Sequence, residues 1–462
     1  MGTPNWQHQT IWTGDNLDIV RGMNAESVDL IYLDPPFNSK KNYAAPIGSK
    51  AAGAAFKDTW TLNDVDEAWH GEIAEREPAL YGIIDAAGEV HGKGMKSYLI
   101  MMAVRLLELR RILKDTGSLY LHCDPTASHY LKTLLDAIFQ AKNYRNEISW
   151  KRTTTKNDYK QGATNWPRVR DVILHYSKNS AASQFTQVFK PYSDEYVEKF
   201  YRHVEPETGR RYQLDNIAAP GAGTRGHPQY TFLGVTRYWR YNEAKMHELL
   251  KEGRIVQTKP DAVPRFKRYL DEMPGVAVGD DWDDIWLVQG QSKEHTGYPT
   301  QKPLGLLERI IQASSNEGDM ILDPFCGCAT ACIAAAKHGR QWVGIDISPK
   351  ASELVQFRMR KELGLFGKVH HRTDVPQRTD QGVMPSYKTH KHTLFGKQEG
   401  VCNGCRHAFQ FRNFTIDHVV PQAKGGTDHL DNLQLLCGAC NSMKGAGTQE
   451  ELIAKLKQEG IR

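Results

Sequence analysis

No stretch of the 462-residue chain comes near the roughly 20 consecutive apolar residues that a membrane span needs. Residues 1–20 also lack the basic-then-apolar order of a secretory signal. A soluble, cytoplasmic protein with no membrane partner is expected. Cysteine is scarce: of eight, four form two Cys-x-x-Cys pairs near the C-terminus, and Cys123, Cys326, Cys328 and Cys332 are scattered. This usage argues against a disulfide frame and suits a metal site in a reducing compartment. Excess charge is slight as well. A net charge of +5 is too small to prove a polyanionic partner, although basic residues cluster locally. There is no internal repeat. The length exceeds one comfortable hydrophobic core, so two or more domains are expected, with room for an enzyme and an appendage.

The apolar segments that are present alternate in type. Val28-Asp29-Leu30-Ile31-Tyr32-Leu33 reads as a buried strand broken by Asp34-Pro35-Pro36, with Asp34 presented at its carboxyl end. Ser97 to Lys114, rich in Leu and Met and stopped by Gly117, reads as a helix, and Ser118 to His122 as the next strand. Such alternation predicts a parallel sheet. At Glu147-Ile148-Ser149-Trp150 the pattern changes. Lys151, Arg152, Lys156, Lys160, Arg168 and Arg170 follow, opposed by Asp158, and the chain stays loop-rich and heavy in Tyr, Trp, Arg and Gly to about residue 296. Alternation resumes near Pro303 with a helix, the strand Met320-Ile321-Leu322, the helix Thr330 to Lys337 and the strand Trp342 to Ile345. Residues 364–400, dense in His, Lys, Thr and Gly, read as a linker.

Asp323-Pro324-Phe325-Cys326-Gly327-Cys328-Ala329 carries the clearest local physics. A strand ending in an acid, a small-residue turn and an Ala-rich helix bring backbone N–H groups and a helix N-terminus close to a ligand. Asp346 ends the following strand, where a carboxylate can accept hydrogen bonds from ribose hydroxyls. The spacing fits a nucleoside cofactor; by itself it also fits a tight strand-to-helix turn in any α/β protein. Cys326 and Cys328 flank Gly327 and read as small residues of a close-packed turn.

Asp34-Pro35-Pro36-Phe37 resembles the catalytic loop, and Asp323 to Ala329 the cofactor loop, of S-adenosylmethionine-dependent amino-methyltransferases. With the catalytic motif first, the chain resembles the permuted β-class of DNA methyltransferases. Thr300-Gln301-Lys302-Pro303 resembles the segment that approaches the methionine end of the cofactor, and Thr13-Gly14-Asp15 the element that supplies an acid to its adenine ring. The resemblance implies an α/β fold with a Rossmann-like mixed sheet in permuted order. It assigns Asp15, Thr300, Lys302, Asp323, Phe325, Gly327 and Asp346 to the cofactor, and Asp34, Pro35, Pro36 and Phe37 to catalysis. The family pattern is Phe-x-Gly-x-Gly, so Ala329 departs from it; its methyl tightens the pocket, or is tolerated if φ stays negative.

Chemistry gives the catalytic loop a rationale. An exocyclic base amine has its lone pair delocalised into the ring. Attack on a sulfonium methyl therefore needs acceptors, here the Asp34 carboxylate and the Pro35 carbonyl, that hold the N–H groups and favour sp3 nitrogen. Phe37 would stack on a base flipped out of the duplex. Trp150 is either a second wall or a core residue. An initial Asp in this motif implies adenine N6, with cytosine N4 as the alternative. Residues 151–296 fall where the β-class carries its target-recognition region, and duplex DNA is the implied partner. A homodimer is compatible with this reading.

The C-terminal segment carries a separate signal. Cys402-x-x-Cys405 and Cys437-x-x-Cys440 can close a tetrahedral structural zinc site, the alternative being four buried thiols. With Asp417-His418, Asn432 and Asn441 among them, the segment resembles the HNH endonuclease family and its small ββα-metal domain. That resemblance gives Asp417 and Asn441 to a divalent cation, Mg²⁺ or Mn²⁺, and His418 to the role of general base. Asn432 would orient the loop that carries the base. The expected organisation is therefore a catalytic part at 1–150, target recognition at 151–296, the cofactor-binding part of the same fold at 297–363, a linker at 364–400 and an HNH domain at 401–462. Methylation with restriction by the tail is the first reading. Its rivals are an orphan methyltransferase whose tail only grips DNA, and an RNA adenine methyltransferase.

Overall fold

A computed structural model describes residues 2–36, 41–44, 55–58, 73, 77–155, 164–219, 226–364, 369–380, 390–424, 426, 428 and 430–462. The apolar run Val28–Leu33 forms strand β2, buried at every position but Asp29. Its neighbours show why the run is so apolar: it lies inside a nine-stranded sheet with strands on both sides. In chain order the other strands are β1 (Thr10–Thr13), β3 (Leu113–Cys123), β4 (Tyr144–Lys151), β5 (Arg170–Ser177), β6 (Asp281–Trp282), β7 (Met320–Asp323), β8 (Gln341–Asp346) and β9 (His370–Arg372). Their order across the sheet is β6-β4-β5-β3-β2-β7-β8-β1-β9. All pairings are parallel except the two made by β5, with β3 and with β4. The sheet is thus mixed, as expected.

Helix α1 (Asn16–Gly22), α2 (Pro78–His91), α3 (Lys93–Ile112), α4 (Ser128–Phe139), α5 (Leu304–Ser314), α6 (Thr330–Lys337) and α7 (Pro349–Leu363) accompany this sheet. The Leu- and Met-rich α3 buries Tyr98 to Val104, Leu106, Leu109 and Ile112, while Glu108, Arg110 and Arg111 stay partly exposed in its last turns. It ends at Ile112 rather than Lys114, because Leu113 already pairs with Val28 of β2. Gly117 is not a helix stop. A Cβ there would lie 2.7 Å from the carbonyl oxygen of Asp29, so glycine permits the close approach of β3 to β2.

The chain divides into two compact units, one of residues 1–186 with 280–462 and one of residues 187–279. The smaller unit has a four-stranded antiparallel sheet and its own core around Ile217, Phe232, Trp239 and Met246. It is narrower than the expected insert 151–296, since β5 and β6 belong to the main sheet. Residues 364–400 also differ from a plain linker. His370–Arg372 is the edge strand beside β1, and Thr379 and Asp380 are bonded to Asn24 and Ala25. Helix α8 (Lys391–Lys397) contributes Leu394 to the core of the C-terminal module.

That module pairs β10 (Phe414–His418) antiparallel with β11 (Leu433–Cys437), followed by α9 (Gly438–Lys444) and α10 (Gln449–Gln458). It is a ββα arrangement around Leu433, Leu435, Leu436, Leu452 and Leu456. Among the described residues no helix is long and apolar enough to cross a membrane.

Candidate active site

Strands β2 and β7 are far apart in sequence but adjacent in the sheet, with Ile31 beside Leu322. Their carboxyl ends therefore place Asp34 and Asp323 at one edge, where open α/β sheets bind ligands. A cavity of about 470 Å³ opens there, and Asp15, Asp34, Pro35, Pro36, Thr300, Lys302, Asp323, Phe325, Gly327 and Asp346 all line it. Every described candidate from the catalytic and cofactor motifs converges on this cavity. Phe37 lies outside the described residues.

The cavity is electrostatically partitioned. Lys302, almost fully buried, forms an ion pair with Asp34. Asp15 caps α1 by accepting from the Leu17 N–H at 2.8 Å and pairs with the Arg105 guanidinium at 2.8 Å. Burial lowers the pKa of Arg105, opposed by Asp15. The Asp323 carboxyl is pushed well above its usual range by burial, although it accepts from the Phe325 N–H at 3.2 Å. Asp346 is also raised by burial, while its two oxygens accept from Gly327 and Ser348 N–H groups, each at 2.8 Å. The bond from Gly327 ties the end of β8 directly to the glycine turn.

The turn itself explains its residues. Gly327 has φ +48°, and a Cβ there would meet the Tyr298 ring at 2.9 Å, so only glycine fits. Ala329 has φ +56°, against the negative φ under which an alanine is tolerated, and its side chain is fully buried without lining the cavity. The buried Arg358 of α7 donates to the Cys328 carbonyl at 2.6 Å and to Thr330 Oγ1 at 3.0 Å, bracing this departure from the usual pattern.

A second constellation sits in the C-terminal module. The sulfurs of Cys402, Cys405, Cys437 and Cys440 are all buried and lie within 4.8 Å of one another. The Cys402 sulfur accepts from the Cys437 N–H at 3.2 Å and the Gly404 N–H at 3.4 Å, an environment suited to thiolate. Nearby, Asp417 Oδ2 accepts from Gln434 at 2.9 Å and pairs with the Lys444 ammonium at 3.0 Å. Asn432 brackets the chain after His418: its carbonyl oxygen accepts from the Val419 N–H at 2.7 Å, its Oδ1 from the Val420 N–H at 2.9 Å, and its Nδ2 donates to the Val420 carbonyl at 3.0 Å.

Comparison with known proteins follows this division. Residues 28–357 match the DNA methylase family and residues 402–457 the HNH endonuclease family. The chain belongs to the DNA methylase family. It carries an HNH domain at its C-terminus. The type II methyltransferase M.EcaI of Enterobacter cloacae is 28% identical over 394 residues, covering 83% of this chain and 77% of that one. The DNA adenine methyltransferase YhdJ of Escherichia coli is 26% identical over 353 residues, 76% of this chain and 82% of that protein. The Mod subunit of the type III restriction-modification enzyme StyLTI of Salmonella typhimurium is 27% identical, and the match spans 49% of its length. The M1.HpyAVI structure in complex with its cofactor superposes with a TM-score of 0.35 at 13% identity, covering 77% of this chain and 99% of that one.

Beneath the methylase cavity lies a buried chain of polar groups that the motifs do not mark. The Tyr32 hydroxyl meets His122 Nδ1 at 3.0 Å, His122 Nε2 meets Asp171 Oδ2 at 3.3 Å, and Arg152 reaches Asp171 at 2.9 Å. Burial raises the Tyr32 phenol well above its usual range, and Asp34, Asp323 and Asp171 add to the effect. Trp150 is fully buried beside His122, and its Nε1–H donates to the Ile285 carbonyl at 2.8 Å; it is a core residue and no wall of the cavity. Arg105 was missed too, though a lone arginine inside the apolar run Met101–Leu106 was its available signal.

Proposed function

We propose that the chain methylates adenine N6 in duplex DNA from S-adenosylmethionine, and that its HNH domain cuts DNA lacking the mark. The observation that carries the first half is the convergence of Asp34-Pro35-Pro36 with Asp323, Asp346 and Lys302 on one cavity. The donor set suits the cofactor: a glycine turn with a helix behind it, and acids at Asp15 and Asp346 on separate strands' ends. When bound, S-adenosylmethionine supplies a methyl group activated on a sulfonium. The chain's own residues do the rest. Lys302 holds the Asp34 carboxylate in place, so that it and the Pro35 carbonyl accept the two amine hydrogens and release the nitrogen lone pair for attack. The adenine assignment rests on the initial Asp of the motif and agrees with the name of the Escherichia coli relative. The segment around residues 187–279, within the broader region 151–296, is assigned to target recognition.

In the tail the four cysteines fit a structural zinc ion, their sulfurs being close enough for one tetrahedral centre. Asp417, near the end of β10, and Asn441, in α9, offer oxygen donors of the kind a hard divalent cation takes. When bound, it would stabilise charge on the phosphorane and the leaving oxygen. His418 takes the proton of the attacking water.

Two measurements test these halves separately. Purified protein is incubated with labelled S-adenosylmethionine and unmethylated plasmid, and the nucleosides are separated. N6-methyladenine supports the reading, N4-methylcytosine moves it to the alternative base, and labelling of structured RNA in preference to DNA overturns it. The second incubation contains Mg²⁺ or Mn²⁺ and no cofactor, with His418→Ala alongside. Discrete cuts by the wild type alone support a nuclease; if neither protein cuts, the tail is a DNA-binding zinc module.

A further inference from the structure

His418 closes strand β10, and in the following loop Asp428 turns back so that its Oδ1 lies 2.7 Å from His418 Nε2. The same oxygen also accepts from Gln422 Nε2 at 2.6 Å, a second hydrogen bond that holds the carboxylate. The backbone beneath the ring is held as well: Lys444, whose side chain is 1% exposed, donates to the His418 carbonyl at 2.8 Å and pairs with Asp417 at 3.0 Å. Asn432 pins the two residues that follow. A half-buried imidazole clamped at ring and backbone cannot sample many orientations, and such restraint is what a catalytic base requires and a phosphate-gripping surface residue does not.

We propose that Asp428 is the positioning residue of His418 in the HNH domain, an inference that rests on the nuclease reading above. An ionised carboxylate offers no hydrogen, so the shared hydrogen sits on His418 Nε2. The ring's lone pair is then on Nδ1. In hydrolysis, a water oxygen forms a bond to phosphorus while its proton passes to Nδ1. The phosphorus–oxygen bond to the leaving sugar breaks, and that oxygen is protonated from solvent. Asp428 touches neither water nor phosphate; it sets the tautomer and the ring plane and stabilises the imidazolium once formed. Asp428 is a residue that motif spacing alone leaves unassigned, because its value lies in a contact with the end of a strand ten residues earlier.

The test uses the full chain, labelled with ¹⁵N-histidine, as wild type, Asp428→Ala, Asp428→Glu and His418→Ala. Long-range ¹H–¹⁵N spectra read the His418 tautomer without reference to activity, and plasmid cleavage under Mg²⁺ or Mn²⁺ reads rate and DNA affinity. The expected result is an Nε2–H tautomer in the wild type that is lost in Asp428→Ala. Cleavage should slow about ten- to a hundredfold at unchanged apparent KM, with partial rescue by Asp428→Glu. Cleavage by Asp428→Ala at the wild-type rate while His418→Ala is dead overturns the positioning role. If the wild type does not cut at all, the nuclease reading fails, and the spectra alone decide: a tautomer unchanged by Asp428→Ala overturns the proposal, a switched one upholds the Asp428–His418 pairing.

Discussion

The cavity around Asp34 and Asp323 draws its walls from segments scattered between Gly14 and Ser348, whereas the cysteine cluster, its strand pair and its helix come from residues 402–444. In the first, position is a property of the sheet: β2 and β7 must pair before Asp34 and Asp323 can meet. The core that enforces this pairing is large, running from Trp12 through Leu121 to Ile345. In the second, the core is a handful of leucines, Phe414 and the four cysteines themselves. A module of that size buries little apolar surface, and the zinc proposed for the four cysteines would compensate for the small core.

Removing the metal should therefore separate the two regions, with the largest effect expected of any perturbation. Structural zinc in small modules contributes an apparent ~10–16 kcal/mol. Chelation, or Cys440→Ala, should abolish amide protection across residues 402–458 and leave methyl transfer near its starting rate. Protection that survives a strong chelator would show that the four sulfurs are ordinary buried thiols. The opposite perturbation is Asp34→Ala, which removes the proposed catalytic acceptor and, with it, the carboxylate facing the buried Lys302 ammonium. Transfer should fall by roughly a hundred- to a thousandfold, as when one preorganised polar partner is lost from an active site. Cofactor affinity, measured by equilibrium binding, should change only a few-fold. Equal loss of both would reassign Asp34 to cofactor binding.

Acid sharpens the contrast further. His175, in β5, is buried and stacks on Tyr120 at 4.1 Å, and desolvation lowers its pKa to about 3, helped by Arg145. Between that value and its unfolded pKa of about 6.5, the unfolded chain binds a proton that the folded sheet refuses. Stability is then fully present above about pH 6.5 and declines as pH falls, by up to about 1.4 kcal/mol per unit. His175→Phe keeps a flat ring and removes the proton site, so the acid limb of the sheet's thermal unfolding should flatten between pH 6.5 and 5. The module's transition should not move with this substitution. An unchanged slope would mean that the ring is charged within the sheet.

The same contrast governs what could be read from sequence. Val28–Leu33, Met320–Asp323 and Thr330–Lys337 were legible because each is a buried apolar or Ala-rich run bounded by a turn. The cysteine pairs and Asp417-His418 were legible because local spacing is the signal. Strand β5 was not. Arg170–Ser177 follows a run of basic residues that marked a boundary, and only its antiparallel pairing with β3 and β4 shows it to be part of the sheet. His370–Arg372 escaped notice for a related reason: three polar residues become a strand because β1 offers a free edge. The Lys302–Asp34 pair and the Tyr32–His122–Asp171 chain depend on register between distant strands, which one sequence does not encode locally.

Ala329 is where a local rule and the observed backbone part company, and it gives the smallest effect. At φ +56° an alanine carries roughly 1–2 kcal/mol of left-handed strain. Replacing it with glycine relieves that strain but loses a buried methyl, about 0.8 kcal/mol, and frees the unfolded chain by about 0.5–1 kcal/mol. These oppose one another, so Ala329→Gly should lie within about 1 kcal/mol of neutral in chemical denaturation. Ala334→Gly, inside the helix that follows and equally buried, has no strain to relieve and should cost about 2 kcal/mol. Because Ala329 is not among the residues that line the cavity, cofactor affinity should not change with Ala329→Gly. Equal destabilisation by the two substitutions would show that Arg358, by bracing Cys328 and Thr330, has already relaxed the turn.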